Sequence, residues 1–210
     1  MGEKRNAAKR GPQAGSNRKT TMPYATSEMA AVMDRVGRQI DDEALVQSLH
    51  FSPTALANVR RVMMSGGTVV ADTTLALSGI DPELADKLQL DIRCYIDHPS
   101  VVSMATQRRV TRAEIALDHA MSLPNMKLIL IGSAPMALAR LLKLNERELL
   151  TDTVVLAMPT GFASVVQLKE RLWESKIPCI VVRGKKGGTA AASAVLNALM
   201  DMSIAEQGLE

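Results

Sequence analysis

Aromatic side chains are scarce in this chain. Tyr24, Phe51, Tyr95, Phe162 and Trp173 amount to 2% of its 210 residues. That is too few rings for a base-stacking nucleic-acid surface, so the core has to be aliphatic, with 13 methionines as adaptable filler. Only two cysteines are present, Cys94 and Cys179, far apart and inside strand-like runs. This excludes a disulfide scaffold and fits reduced, buried thiols in the cytoplasm. No run approaches the ~20 apolar residues that span a bilayer, and no apolar stretch follows the N-terminal charges as a secretory signal requires. The three histidines, His50, His98 and His119, show no metal-ligand spacing, so no metal is expected. The G-x-G-x-x-G and G-x-x-x-x-G-K-[ST] fingerprints of nucleotide sites are missing, as is the G-x-S-x-G turn of hydrolases.

What is present is ordinary globular composition, 47% hydrophobic and 22% charged. The net charge of +3 misleads as an average. Residues 1–20 hold six basic residues against one acidic, which leaves 19 basic against 21 acidic in the remainder. The reading is a basic, disordered tail over residues 1–22 and one domain over 23–210. A nucleic-acid partner would rest on the tail alone and is not expected, nor is a membrane.

Short apolar, β-branched runs alternate with helical patterns along the body. Strands are expected near 68–71, 90–96, 127–131, 153–158 and 177–182. Helices are expected over Ser27 to Gln39, Asp41 to Leu49, about 53–64 with Ser52 as N-cap and Pro53 in the first position, Thr111 to Met121, after Pro135, from Phe162 to about Ser175, and to Met200. This alternation specifies an α/β fold: a Rossmann-like parallel sheet covered by helices on both faces.

In such a sheet, ligands bind beyond the carboxyl ends of the strands. Four loops fall there: Asp72-Thr73, Gly132 to Pro135, Pro159 to Phe162, and Arg183 to Thr189. Three carry glycine, each leads into a helix N-terminus, and the last adds Arg183, Lys185 and Lys186. Together they suit an anion with several carboxylates or phosphates.

Longer segments are more specific. Ile131 to Leu142 (IGSAPMALARLL) resembles the IGNAPTALFRLL signature of precorrin-8X methylmutases. Pro159-Thr160-Gly161-Phe162 with Lys169-Glu170 downstream, and Val182 to Thr189 running into Ala194 to Leu199, resemble the same family. Phe51-Ser52-Pro53, Asp72, Gly79-Ile80, Cys94-Tyr95-Ile96 with Pro99, and Thr111-Arg112 stand in its order and spacing, so the resemblance covers about residues 35–200. It implies a homodimeric isomerase of corrin synthesis that uses no cofactor. The enzyme would move a methyl group from C11 to C12 of a tetrapyrrole, precorrin-8X or its cobalt form. It also implies a substrate site built from Arg35, Arg112, Gly132, Ser133, Thr160, Gly161, Arg183, Gly184, Lys186, Gly187 and Gly188.

The chain departs from the family at the position that matters most for catalysis. The family uses a histidine to move a proton at a ring nitrogen. Counted back without gaps from Phe51-Ser52-Pro53, that position is Arg38, and a guanidinium does not give up its proton at neutral pH. Ser133 stands for the family's Asn, Met136 for its Thr, and Gln167-Leu168 for its Glu-Ser. His50, beside the Phe-Ser-Pro motif, is a substitute imidazole, and His98 is a second. The alternative to a methylmutase is a protein of the same fold that holds a corrinoid without converting it.

Overall fold

The structure, a computed structural model, describes residues 26–147, 150 and 152–209. The expected basic tail and its boundary at residues 22–23 lie outside them. The chain enters through α1 (Ser27–Gln39), α2 (Glu43–Gln47) and a three-residue strand, β1 (Leu49–Phe51). Next, α3 (Ala55–Met64) leads to β2 (Thr68–Ala71), and α4 (Thr74–Ser78) and α5 (Pro82–Lys87) lead to β3 (Asp91–Cys94). α6 (Pro99–Arg108) and α7 (Arg112–Met121) precede β4 (Lys127–Ile131). The order closes with α8 (Pro135–Asn145), β5 (Thr153–Ala157), α9 (Ala163–Glu174), β6 (Cys179–Val182) and α10 (Thr189–Gln207).

The six strands form one sheet in the order β1-β6-β5-β4-β2-β3. β2 to β6 are mutually parallel, and β1 runs antiparallel on the outer side of β6. Along β4, Leu128 and Leu130 join one core layer while Ile129 and Ile131 join the other. That is the period of two in a strand buried on both faces. The first layer packs α1, α3, α4, α5 and α10 on the sheet through residues such as Val32, Val36, Val59 and Leu199. The second packs α7, α8 and α9 through Leu117, Leu138, Leu141 and Leu172. α10 is apolar almost all round, as a helix held inside a core should be. Its buried Ser193 and Ser203 hydroxyls donate to backbone carbonyls, Ser193 Oγ to Ala76 O at 3.0 Å and Ser203 Oγ to Leu199 O at 2.9 Å.

The five parallel strands occur where expected, with β3 shorter than 90–96 and β6 starting only at Cys179. Three features depart from expectation. The sheet is mixed, because β1 adds an antiparallel edge strand within the segment expected to be helical up to Leu49. The final helix runs on to Gln207, and α4, α5 and α6 fill stretches with no helix assigned to them. Ser52 does not cap a helix, since α3 begins at Ala55 after Thr54. It extends the β1–β6 ladder instead: its N–H donates to Cys179 O and its Oγ accepts from Cys179 N, both at 2.9 Å. Pairing at a buried sheet edge outweighs the local cap at this position.

Ser52 is 8% exposed, so this pairing has a testable cost. Ser52→Ala leaves the Cys179 N–H buried without an acceptor, and the expected loss is about 1–3 kcal/mol. It should appear as a lower urea midpoint with an unchanged slope.

Candidate functional site

The strand ends converge as the parallel order requires. Gly132 follows β4, and a Cβ built there would stand 2.9 Å from Thr189 Cα, the first residue of α10. Gly187 has φ +141°, and a Cβ on it would meet Met158 O at 2.1 Å. No side chain fits at either place. Gly188 N donates to Met158 O at 2.6 Å and Gly161 N to Lys185 O at 3.4 Å, which joins the loops after β5 and β6. On the β4 side, the Asp72 carboxylate accepts from Ser133 N at 2.8 Å and Ala134 N at 2.7 Å. The amides expected to face a ligand anion at the start of α8 are therefore held by the protein's own carboxylate. A cavity of about 20 Å³ behind Asp72, lined by Val70, Ala116 and Ile131 among others, has room for a water and no more.

The cations of this edge are also paired internally. Arg183 binds Glu170 through two hydrogen bonds and lies over the Trp173 ring, 5.8 Å from its centroid. The pair holds the Glu170 carboxyl below its usual range and raises the Arg183 guanidinium. Lys186 Nζ bridges both oxygens of Asp42, the N-cap of α2, at 2.6 and 2.7 Å, which lowers the Asp42 carboxyl. Arg112 meets Asp97 at 3.1 Å beyond β3. Among the described residues, Lys185 has no carboxylate partner.

His50 belongs to the same corner. It sits on β1 opposite Val181 and is half-buried. Its Nδ1 lies 3.0 Å from Ser48 O, the carbonyl that also accepts Arg183 N at 2.9 Å. A carbonyl only accepts, so Nδ1 carries the hydrogen and Nε2 is left for another partner. The ring meets Trp173 edge-on, centroids 5.5 Å apart. His98 and His119 lie with Tyr95 in a separate ring cluster beyond β3, with His119 4.6 Å from Tyr95.

The structure thus brings Gly132, Ser133, Thr160, Gly161, Arg183, Gly184, Lys186, Gly187 and Gly188 to one edge, with Arg112 at its far end. It does not bring Arg35 there. Arg35 pairs with Asp201 at 2.7 Å, twelve residues into α10, or about 18 Å of helix from Thr189. Arg38 is on the outer face of α1, its side chain 76% exposed and paired with Asp34 at 2.6 Å.

Lys169, in the family-like Lys169-Glu170 pair, takes a place that its motif does not announce. It is 0% exposed, and its Nζ donates to Lys186 O at 2.8 Å from beneath the glycine-rich loop. Burial pulls its amine down to about 8. The signal was available, because Lys169 falls on the buried stripe of α9 between Val165 and Leu172. Leu75 carries no motif signal, whereas Met136 and Phe162 stand inside the family-like segments. All three follow the neighbouring strands β2, β4 and β5, and their side chains stand in solvent, Phe162 at 83%.

Comparison with known proteins bears on this edge. The family model described as precorrin-8X methylmutase matches residues 16–202. A cobalt-precorrin-8 methylmutase of Salmonella typhimurium is 35% identical over 178 residues, covering 84% of this chain and 83% of that one. One of Methanothermobacter thermautotrophicus is 31% identical, covering 82% and 80%. Among solved structures, a precorrin-8X methylmutase from Thermus thermophilus superposes with a TM-score of 0.78 at 27% identity, over 89% of this chain and 91% of that one.

The buried amine of Lys169 makes a pH prediction. Unfolded, a lysine titrates near 10.5, against about 8 here. Below about 8 both states hold the proton, and the cost of burying the charge is fully present. Between about 8 and 10.5 only the unfolded chain holds it, so stability rises with pH. The rise should reach about 3 kcal/mol. The difference in stability between the native protein and Lys169→Met, from urea titrations at pH 7 and pH 10, isolates it from the Cys179 thiol, which burial raises to about 11 and which works in the opposite direction above pH 9.

Proposed function

The chain belongs to the precorrin-8X methylmutase family, and from that premise we propose that the carboxyl edge of its sheet is where the tetrapyrrole binds. The protein is a methylmutase: an isomerase of corrin biosynthesis that converts precorrin-8X to hydrogenobyrinate. The carbon–methyl bond at C11 is exchanged for one at C12, and no atom is gained or lost. The work left to the protein is to hold a large polycarboxylate and move a proton.

The observation that carries the site is the convergence of glycine-rich loops and cations on one open edge, with exposed apolar side chains between them. From β6 to β3 the row of strand ends is about 19 Å long. Arg183, Lys185 and Lys186 at one end and Arg112 at the other receive peripheral carboxylates, and Thr160 and Ser133 offer hydroxyls between them. Leu75, Met136 and Phe162 meet the apolar face of the macrocycle. Each paired cation exchanges Glu170, Asp42 or Asp97 for a substrate carboxylate, or shares it.

For the proton we favour His50 over position 38. Arg38 keeps its charge at neutral pH and points into solvent beside Asp34. His50 shares the Ser48 carbonyl with Arg183 and keeps Nε2 available. A homodimer and a cytoplasmic location are carried by the family resemblance. Among the described residues, no helix is long and apolar enough to cross a membrane.

Purified protein mixed with precorrin-8X should give the hydrogenobyrinate spectrum. His50→Ala should slow turnover by about 10²–10⁴-fold. A gain in rate from Arg38→His would place the proton donor on α1 and overturn the assignment to His50. Arg183→Ala should weaken hydrogenobyrinate binding by about 1.5–3 kcal/mol, read by absorption titration. Binding without any conversion would favour the non-catalytic corrinoid holder.

A further inference from the structure

Lys169 is a full-length cation placed where an apolar side chain belongs. Val165 and Leu172, on the same stripe of α9, are buried against the core, and Lys169 is 0% exposed among them. Its one hydrogen bond among the described residues is to the main chain, Nζ to Lys186 O at 2.8 Å. That carbonyl belongs to the loop between β6 and α10, where Gly184, Gly187 and Gly188 all have positive φ. A loop so rich in glycine has little stiffness of its own.

Besides the long backbone hydrogen bond from Gly161 N to Lys185 O at 3.4 Å, the loop is gripped at three places. Met158 O accepts Gly188 N at 2.6 Å on the β5 side. Asp42 holds the Lys186 side chain from outside. Lys169 holds the Lys186 carbonyl from inside. The first grip is backbone and cannot be mutated away. The second is solvent-exposed and is a contact that substrate carboxylates would compete for. Of the two side-chain grips, only that of Lys169 is internal and out of reach of the ligand.

We propose that Lys169 is a positioning residue: it fixes the Lys185–Gly188 loop from within, so that the cations and amides of the loop meet the substrate's carboxylates already ordered. This rests on the strand-end reading of the substrate site. A preorganised loop spares the ordering cost that binding would otherwise meet. The arrangement also explains why a buried, poorly solvated amine persists where methionine would pack without charge. The residue lowers the stability of the fold and raises the readiness of the loop.

Lys169→Met separates this role from a structural one. A residue that only supported the fold would, on removal, lower stability and leave KM alone. Here the variant should melt at the same or a higher temperature at pH 7. Amide hydrogen exchange should accelerate in residues 184–188 relative to β4 and β5. KM for precorrin-8X and Kd for hydrogenobyrinate should rise together by about 10–100-fold with kcat little changed, as loss of uniform binding requires. Unchanged exchange in the loop, or an unchanged KM and Kd, would overturn the proposal. If the native protein neither converts precorrin-8X nor binds hydrogenobyrinate, the substrate reading fails, and the exchange measurement still decides whether Lys169 orders the loop. Should Lys169→Met not fold, Lys169→Gln takes its place, with the same readings.

Discussion

The first turn of α10 touches the carboxyl ends of the central strands, and the rest of the edge depends on that contact. Gly132 and Gly187 have no room for a Cβ against Thr189 and Met158. With them in place, a long apolar helix packs along the sheet, and its start, the loop after β6 and the loop after β5 become one surface. An alanine at Gly187 would drive a methyl group into a carbonyl oxygen and also demand a φ that L-residues rarely adopt. The same close approach puts the Lys186 carbonyl within reach of Lys169.

Charge at this edge is arranged in exchangeable pairs. Arg183 with Glu170, Lys186 with Asp42, and Arg112 with Asp97 are each partly or largely exposed, so each bond is individually weak against solvent. Such pairs suit a polyanion. Breaking them costs little, and the acidic partners keep the cations aimed while no ligand is bound. The Asp72 carboxylate is different in kind. It accepts two main-chain N–H groups and, among the described residues, no cation is paired with it, so it fixes the Ser133–Ala134 turn.

Much of this was legible from the sequence. The strands in β2, β4, β5 and β6 announce themselves as short apolar runs, and glycine after them marks the ligand edge. Motif order alone points to the family. What stayed hidden has one cause: partners distant in sequence. β1 is three residues long, with a pattern too short for periodicity, and forms because β6 offers a free edge 130 residues away. Ser52 looked like a cap because its local neighbours suit one, but its partner is Cys179. Asp42 and Glu170 are ordinary charged residues until the fold shows what each faces. Arg35 was carried over by motif, and its contact with Asp201 puts it well down α10 from the edge.

The arginine at position 38 can be understood in the same terms. α1 buries Val32 and Val36 against α10 and turns Arg38 outward, yet the chain four residues later is Asp42, which grips Lys186. The chain leaves the helix between them, at the extended Ile40, and position 38 stays at the end of α1 with its side chain in solvent. A histidine gives and takes a proton near neutral pH, whereas an arginine offers a permanent charge and a planar fork suited to carboxylates. Substituting one for the other therefore removes a proton carrier from α1. His50, held by Ser48 O at the root of Arg183 and backed by Trp173, is an imidazole that does stand at the strand-end edge.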